Sequence, residues 1–205
     1  MPALPPYPGL LIESDDTVWN GRFPLQRIQF RHARFDGSRS GVRTWELWRR
    51  GRAAAMLPYD PVRDMFVLIE QFRLPALAAG LDPVVREAPA GLCDPGEDPE
   101  TTVRRELQEE AGLVASDVVP IGDYLLTPGG ADERCALFLG RVDAPESAGN
   151  FGLVHENEDI RLVLQPAADA VADALAGRTS NAVLAVGLLW FASSRDALRR
   201  RWGFA

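Results

Sequence analysis

The sequence predicts an α/β fold, a mixed β-sheet sandwiched between helices, with a small N-terminal antiparallel β-sheet in front of it. Two apolar segments, Ala53 to Tyr59 and Met65 to Phe72, have the length of buried strands and are joined by a turn at Asp60-Pro61. Helix signals begin at Asp98-Pro99, and Asn181 to about Trp202 has the length and apolar content of a closing helix. Because strands and helices alternate along the chain, we expect helices to flank the sheet.

The N-terminal part favours a separate, smaller sheet. Arg27 to Phe35 alternates partly between apolar and polar residues, Asp36-Gly37 is a strong turn signal, and Thr44 to Arg49 resumes the alternation. A sheet this small is not stable alone, so it must pack on the main domain or on another subunit. We therefore predict an N-terminal β subdomain over residues 1–52 and a main domain over residues 53–205, with strands starting near Thr17 after an irregular proline-rich arm.

The remaining elements follow from short apolar runs between turn signals. The stretch from Ala76 to Pro83 is predicted to be a loop, and the stretch from Thr127 to Arg134 to be a glycine-rich loop. A second helix is expected over Pro166 to Ala176, ending at Gly177. The further strands are expected at Val84 to Glu87, Val118 to Leu126, Cys135 to Val142 and Asp159 to Leu164.

Composition limits the kinds of partner. A chain of 205 residues has room for one sizeable domain, or one domain with a smaller appendage. Its formal net charge of −7 provides no basic field, so we expect neither nucleic acid nor a membrane surface as a partner. Cys93 and Cys135 form no disulfide framework, the N-terminus lacks signal-peptide features, and the apolar run Ala182 to Ala192 is too short to span a bilayer. We expect a cytoplasmic protein.

The segment from Gly91 to Leu113 carries the strongest local signals. Asp98 is a good N-cap, and Pro99 suits the first helical position, where its missing N–H costs nothing. Glu100 places a negative charge near the positive end of the helix dipole, and Gly112 is well placed to end the helix in the left-handed conformation. A helix is therefore predicted between Asp98 and Gly112.

This helix carries three glutamates with spacings that bring them onto one face: Glu106, Glu109 and Glu110. Like charges this close repel one another, so the arrangement makes sense if a cation binds among them, and hard divalent cations such as Mg²⁺ prefer oxygen ligands. The alternative is a solvated acidic helix face. Val103 and Leu107 form a neighbouring apolar stripe that is expected to face the core.

The segment also resembles the signature of the Nudix hydrolases at every fixed position. Flanking segments resemble the bacterial ADP-ribose pyrophosphatase branch of that family: VLIEQFR ending at Arg73, TPGGADER ending at Arg134, HENEDIR beginning at His155, and a late pattern with Asn181, Leu189 and Trp190. The branch also includes hydrolases of GDP-mannose and other nucleoside diphosphate sugars. The signature positions are Gly91, Glu97, Arg105, Glu106, Leu107, Glu109, Glu110, Gly112 and Leu113.

The resemblance implies a Nudix fold over residues 53–205 and hydrolysis of the pyrophosphate of ADP-ribose to AMP and ribose 5-phosphate. It implies Mg²⁺ as cofactor, with Mn²⁺ as the alternative, at two or three ions per site. A hydrolase of another nucleoside diphosphate sugar, such as GDP-mannose, is the alternative enzyme. A sensor that binds ADP-ribose without cleaving it is disfavoured, because the signature glutamates are intact and no basic helix-turn-helix is present.

The resemblance also assigns roles near the reacting phosphates. The catalytic base is expected at Glu156 on a late loop, although Glu158 could exchange roles with it. Arg105 is expected to orient a glutamate, and Glu97 to support the cluster from its loop. The metal ligands implied are the backbone carbonyl of Ala90 and the side chains of Glu106, Glu109, Glu110 and Glu158, with Glu109 either a further ligand or a helper.

Substrate contacts are implied at Arg73, Gly129 and Glu133. Relatives of this branch are homodimers whose N-terminal strands swap onto the partner, which implies that residues of this part bind the nucleoside: Phe23, Trp45, Glu46 and Arg50. Three alternatives remain open: a surface ion pair for Arg73, an ordinary tight turn at Gly129-Gly130, and plain packing for Trp45 and Trp48. Trp45 also stands where a basic residue is expected, which weakens the choice of adenine over guanine.

Overall fold

The computed structural model describes residues 4–152 and 158–204, and the chain divides into two compact units. The first unit comprises Met1–Gly51 together with Leu125–Arg134. The second comprises Arg52–Tyr124 and Cys135–Ala205. The first unit is therefore built from two separate stretches of chain. The assignment of residues 1–52 as a dimerisation subdomain stays a prediction.

The first unit is a three-stranded antiparallel sheet in the order β1 (Leu11–Trp19), β2 (Leu25–Arg31) and β3 (Arg43–Trp48). The expected start of the strands near Thr17 was wrong, because β1 already pairs with β2 from Leu11. β1 is an exposed edge strand that is held by main-chain hydrogen bonds to β2. Because neither of its faces is buried, its sequence does not alternate between apolar and polar residues, and this is why its start was not recognised.

The second unit contains the mixed sheet that the sequence predicted. Its strands run in the order β10-β11-β5-β4-β9-β8, with β6 paired to β5 and β7 paired to β4. Strands β7 and β10 are too short to have been recognised in the sequence. The strands are β4 (Arg52–Asp60), β5 (Met65–Phe72), β6 (Val84–Glu87), β7 (Ala90–Leu92), β8 (Asp117–Leu125), β9 (Arg134–Arg141), β10 (Asn150–Phe151) and β11 (Ile160–Pro166).

Helices cover both faces of this sheet, as the sequence predicted. Val67 and Ile69 of β5 pack in one core with α2, whereas Phe66 and Leu68 pack in the other core with α3 and α4. Successive side chains of a strand point to opposite faces, so the continuous apolar run of β5 is explained by burial on both sides. The helices are α1 (Leu74–Ala78), α2 (Pro99–Ala111), α3 (Ala167–Leu175) and α4 (Ala182–Arg201).

The helix predictions differ from the structure at one place. The stretch expected to be a loop from Ala76 overlaps α1, a short helix that begins directly after Arg73. Its first residues include Pro75, which is tolerated because the N–H groups of the first helical turn have no partner within the helix. Within the described part of the chain, no helix combines the length and apolar character needed to cross a membrane.

Candidate metal and catalytic site

The helix that carries the glutamates is bounded by the signals seen in the sequence. The Asp98 side chain accepts a hydrogen bond from the Glu100 N–H at 3.1 Å, and Pro99 opens the helix. Gly112 ends it with φ of 65°, and its N–H donates to the Gln108 carbonyl at 3.0 Å. These two ends therefore set the length of α2, and Val103 and Leu107 on it pack into the core.

Gly112 also leaves room for an aromatic side chain from another part of the unit. A Cβ at this position would lie 2.7 Å from Cε1 of Phe151, the second residue of β10. The Phe151 ring therefore packs against the end of α2 and anchors the strand that leads into residues 153–157. Glycine is required at position 112 for two reasons, its left-handed backbone and this contact.

Replacing Gly112 with alanine tests these two requirements. The left-handed backbone alone is expected to cost about 1 to 2 kcal/mol of unfolding free energy, and displacement of Phe151 is expected to add to that loss. The matched control is Gly177→Ala, because Gly177 has φ of 69° but no atom within 4 Å of an added Cβ. Equal destabilisation of the two variants in urea unfolding would show that the Phe151 contact is unimportant.

Gly91 allows the side chain of Glu106 to approach the backbone of β7 closely. A Cβ at Gly91 would lie 1.8 Å from Oε1 and 2.1 Å from Cδ of Glu106. Only glycine permits this approach, since any larger residue would force the carboxylate away. The first glycine of the sequence motif therefore sets the position of a candidate metal ligand.

Gly91→Ala should displace the Glu106 carboxylate and lower kcat/KM by about 10- to 100-fold, the cost typical of disturbing the groups that orient a metal ligand. The fold should survive, because a long carboxylate side chain can move without changes in the backbone. Gly41→Ala is the control, since no atom lies within 4 Å of an added Cβ there. Steady-state kinetics of both variants decide the point, and unchanged activity of Gly91→Ala would argue against a role for Glu106.

Glu110 is the most deeply buried carboxylate of the group. Its side chain accepts a hydrogen bond from the Ala90 N–H at 2.9 Å, and the residue is 3% exposed. Burial raises the pKa of Glu110 to about 8; the Ala90 N–H lowers the pKa, and the nearby Glu106 and Glu158 carboxylates raise it. A negative charge at Glu110 is therefore costly unless a positive charge lies beside it.

Arg105 bridges the other two helix glutamates. Its Nη1 donates to Oε1 of Glu106 at 2.7 Å and to Oε2 of Glu109 at 3.0 Å. Burial raises the pKa of Glu106, although Arg105 opposes that rise. Arg105 also pairs with Glu97, with 3.7 Å between Nη2 and Oε2. Glu97 accepts hydrogen bonds from the Asp94 N–H at 3.0 Å and from Oγ1 of Thr102 at 2.8 Å, and these contacts lower its pKa. Glu97 therefore ties the loop to α2.

The donor set suits a hard divalent cation. Among the described residues, no three acidic, cysteine or histidine side chains converge closely enough to hold a metal ion. Two of the candidate ligands, Glu106 and Glu109, are instead hydrogen-bonded to Arg105. The buried Glu110 carboxylate nevertheless faces the charges of Glu106 and Glu158, a repulsion that a cation would relieve. All of these side chains offer oxygen, which favours Mg²⁺ or Mn²⁺ over softer metals.

The late loop meets the site at Glu158. This residue is close enough to raise the pKa values of both Glu106 and Glu110. Gly152 has φ of 103°, and a Cβ there would lie 2.8 Å from Cβ of Glu158, so the chain segments on either side of residues 153–157 come together. The predicted base, Glu156, and its neighbour His155 lie outside the described residues.

Arg73 forms an ion pair with Glu87. Its Nε and Nη2 donate to Oε2 of Glu87 at 2.9 and 2.6 Å. Its charge also lowers the pKa of Glu110, which indicates that the guanidinium lies on the side of the candidate metal ligands. The contact of Glu87 with Arg73 was not predicted, because nothing in a short strand such as VVRE shows which residue its carboxylate will meet.

Several predicted substrate residues lie together in the first unit. Nη2 of Arg50 donates to Oε1 of Glu133 at 3.0 Å, and the Arg50 guanidinium lies 4.1 Å from the centre of the Phe23 ring and 4.7 Å from that of Trp48. An arginine over aromatic faces gains a cation–π attraction. The structure therefore brings Phe23, Arg50 and Glu133 into one cluster.

The other predicted substrate residues of this unit are exposed at its surface. Trp45 is 45% exposed and makes an edge-on contact with Phe30, with 5.6 Å between the ring centres. Glu46 is exposed. Gly129 is exposed as well, and an added Cβ would meet no atom within 4 Å. No protein contact requires glycine at position 129, so ligand binding and an ordinary tight turn both stay open for Gly129.

Comparison with known proteins agrees with this geometry. The family model of the NUDIX domain matches residues 49–183. The ADP-ribose pyrophosphatase of Escherichia coli strain K12 is 39% identical over 187 residues, covering 91% of this chain and 90% of the relative. The GDP-mannose pyrophosphatase of Cronobacter sakazakii is 33% identical over 158 residues, covering 77% of this chain and 81% of the relative.

A solved structure supports the fold. The crystal structure of an ADP compounds hydrolase superposes with a TM-score of 0.64 at 21% sequence identity, covering 93% of this chain and 98% of that chain. The family match, the relatives and the intact glutamate helix point the same way. This chain therefore belongs to the Nudix family and is a Nudix pyrophosphohydrolase.

Proposed function

We propose that this enzyme hydrolyses the pyrophosphate bond of ADP-ribose, giving AMP and ribose 5-phosphate, with Mg²⁺ as cofactor. The observation that carries the proposal is the buried Glu110 carboxylate at the Ala90 N–H, with Glu106 held over Gly91 beside it. The choice of substrate follows the 39% identity to the Escherichia coli ADP-ribose pyrophosphatase over nearly the whole of both chains.

Four carboxylates and one backbone carbonyl would hold the cations. Bound there, Mg²⁺ would neutralise the diphosphate and lower the pKa of a coordinated water. Arg105 keeps Glu106 and Glu109 oriented through its two hydrogen bonds, and Glu97 fixes the loop before the helix. The proposed ligands are the carbonyl of Ala90 and the side chains of Glu106, Glu109, Glu110 and Glu158.

The protein's own groups would carry out the proton transfer and bind the phosphates. Glu156 is proposed to accept the proton of the attacking water, with Glu158 on the metal side. The reverse assignment is the alternative, since both belong to one loop. Arg73 is proposed to bind a phosphate oxygen, because a guanidinium matches phosphate geometry through paired N–H groups.

The first unit is proposed to bind the nucleoside and to form a homodimer. Its Arg50, Phe23 and Glu133 cluster provides aromatic faces, a cation and a carboxylate for recognition of a base and ribose. Trp45, Glu46 and Gly129 are proposed to take part because they are exposed. Exposed aromatic residues such as Trp45 and Trp48 are also typical of interfaces.

Hydrolysis of GDP-mannose is the second candidate function. It is supported by the 33% identity to the Cronobacter sakazakii GDP-mannose pyrophosphatase and by the tryptophan at position 45, where a basic residue is expected. The identity is lower and the covered share of the chain is smaller than for the Escherichia coli relative, so this activity ranks second.

The test is an incubation of the purified protein with ADP-ribose and Mg²⁺, with and without EDTA, with products separated by chromatography. We expect release of AMP and ribose 5-phosphate that stops in EDTA. A parallel series with GDP-mannose and other nucleoside diphosphate sugars ranks the substrates, and faster cleavage of GDP-mannose would overturn the first choice. Tight ADP-ribose binding without cleavage of any substrate would instead indicate a sensor.

A further inference from the structure

Asn181 uses both ends of its side-chain amide at the start of α4. Its Oδ1 accepts a hydrogen bond from the Leu184 N–H at 2.9 Å and thereby caps the helix. Its Nδ2 donates to Oε1 of Glu87 at 3.0 Å. Capping alone would need only the oxygen, and serine or aspartate would serve as well. The hydrogen bond from Nδ2 to Glu87 is therefore a contact that helix capping does not require.

Glu87 is a well-shielded carboxylate with partners on both oxygens. Its side chain is 12% exposed and lies on β6, where Glu87 pairs with Ile69 of β5. Oε1 accepts from Asn181, whereas Oε2 accepts the Nε and Nη2 groups of Arg73 and, at 3.4 Å, Nε2 of Gln71. A carboxylate held at both ends cannot rotate freely, so its orientation sets that of the arginine.

Arg73 is held on one side and open on the other. Its backbone N–H donates to the Pro83 carbonyl at 2.7 Å, which fixes the point where β5 ends and α1 begins. Its side chain is 42% exposed, and its charge acts on Glu110. The guanidinium has five N–H donors, of which two point at Glu87, so the others are available for an anionic ligand.

We propose that Asn181 and Glu87 are positioning residues that hold the Arg73 guanidinium in place for a phosphate group of the substrate. The proposal rests on the substrate-binding role of Arg73 in the proposed function. The amide of Asn181 fixes the rotamer of Glu87, and Glu87 fixes the plane of the guanidinium. The start of α4 thereby controls a phosphate-binding group that lies between β5 and α1, more than a hundred residues earlier in the sequence.

The test is Asn181→Ser, which keeps a good N-cap but is too short to reach Glu87. Kinetics are measured on the substrate that the wild type cleaves fastest, so an error in the choice of ADP-ribose does not affect the result. We expect KM to rise by about tenfold, the size expected for loss of a hydrogen bond to a charged group. We expect kcat to stay within about twofold, since the lost interaction contributes to binding before and during reaction alike.

A double-mutant cycle with Arg73→Ala separates positioning from helix stability. Arg73→Ala alone should raise KM, and Asn181→Ser should add little in its presence, because the group it positions is gone. Arg178→Ala is the control: it breaks the exposed ion pair with Asp173 just before α4 without touching Glu87, and it should leave KM unchanged.

The outcomes distinguish the two ideas. The positioning role is overturned if Arg73→Ala raises KM but Asn181→Ser does not. It is also overturned if Asn181→Ser raises KM as much in the Arg73→Ala variant as in the wild type. In both cases the substrate-binding role of Arg73 stands. If Arg73→Ala leaves KM unchanged, the substrate-binding role of Arg73 fails, and the positioning role fails with it. The positioning role would also be overturned if Asn181→Ser lowers Tm enough for unfolding at the assay temperature to explain the change in activity.

Discussion

Glu110→Gln is expected to lower kcat by more than about 100-fold while the protein stays folded, because even disturbance of groups that support a metal ligand costs about 10- to 100-fold. Glutamine has nearly the same shape and keeps an oxygen for the Ala90 N–H, so the local packing should survive. The measurement is kcat at saturating Mg²⁺, together with the circular dichroism spectrum of the variant. Activity near that of the wild type would contradict the assignment of Glu110 as a metal ligand.

The same variant should be more stable than the wild type when EDTA removes metal. The pKa of Glu110 is raised in the folded protein to about 8 from 4.5, so the folded wild type retains a proton that the unfolded chain has already released. Its stability relative to the glutamine variant is therefore highest below about pH 4.5 and is lost as the pH rises through about 8. The difference should reach a few kcal/mol, on the order of 1.4 kcal/mol per pKa unit.

The control for both measurements is Glu100→Gln. Glu100 lies in the first turn of the same helix, pairs with Arg104 at the surface, and is far more exposed than Glu110. Its removal should change neither kcat nor the pH dependence of unfolding beyond small effects. If Glu110→Gln and Glu100→Gln have the same free energy of unfolding in EDTA at pH 8, the buried charge of Glu110 does not destabilise the folded wild type.

Glu156→Gln is expected to lower kcat by about 10²- to 10⁴-fold with little change in KM, which is the range for removal of a general base. Glu158→Gln should behave differently: the Mg²⁺ concentration for half-maximal rate should rise, because Glu158 acts electrostatically on Glu106 and Glu110. Both quantities come from steady-state kinetics at varied substrate and varied Mg²⁺.

Asp159→Asn is the matched control in this segment, since Asp159 is exposed and adjacent to Glu158. If Glu158→Gln shows the loss of kcat and Glu156→Gln shows the altered metal requirement, the two roles are reversed. If neither variant loses more than Asp159→Asn, the base lies elsewhere in the enzyme.

The helix α2 was predictable from the sequence because its signals are local. Asp98, Pro99 and Gly112 act within one or two residues of the helix ends, and the structure confirms the predicted boundaries. The face that carries the glutamates follows from the helical repeat alone. The burial of Glu110 against Ala90 was harder to predict from the sequence, because it depends on the position of β7, a strand of only three residues.

The contacts around Arg73 could not have been predicted from the sequence. Glu87 lies 14 residues from Arg73 and 94 residues from Asn181, and no periodic pattern connects these positions. The ion pair of Arg50 with Glu133, 83 residues apart, is of the same kind. Such contacts depend on strand order and on how loops return to the sheet, which propensity and alternation do not specify.

The first unit joins two distant stretches of chain through paired charges: Arg49 with Asp132, and Arg50 with Glu133. A chimera that takes only residues 1–51 from a relative would combine foreign residues at positions 49 and 50 with native carboxylates at positions 132 and 133. Substitutions at these two pairs of positions should therefore be inherited together as the family diverges. Under the proposed nucleoside-binding role of the first unit, an exchange of nucleoside preference between relatives has to transfer both stretches at once.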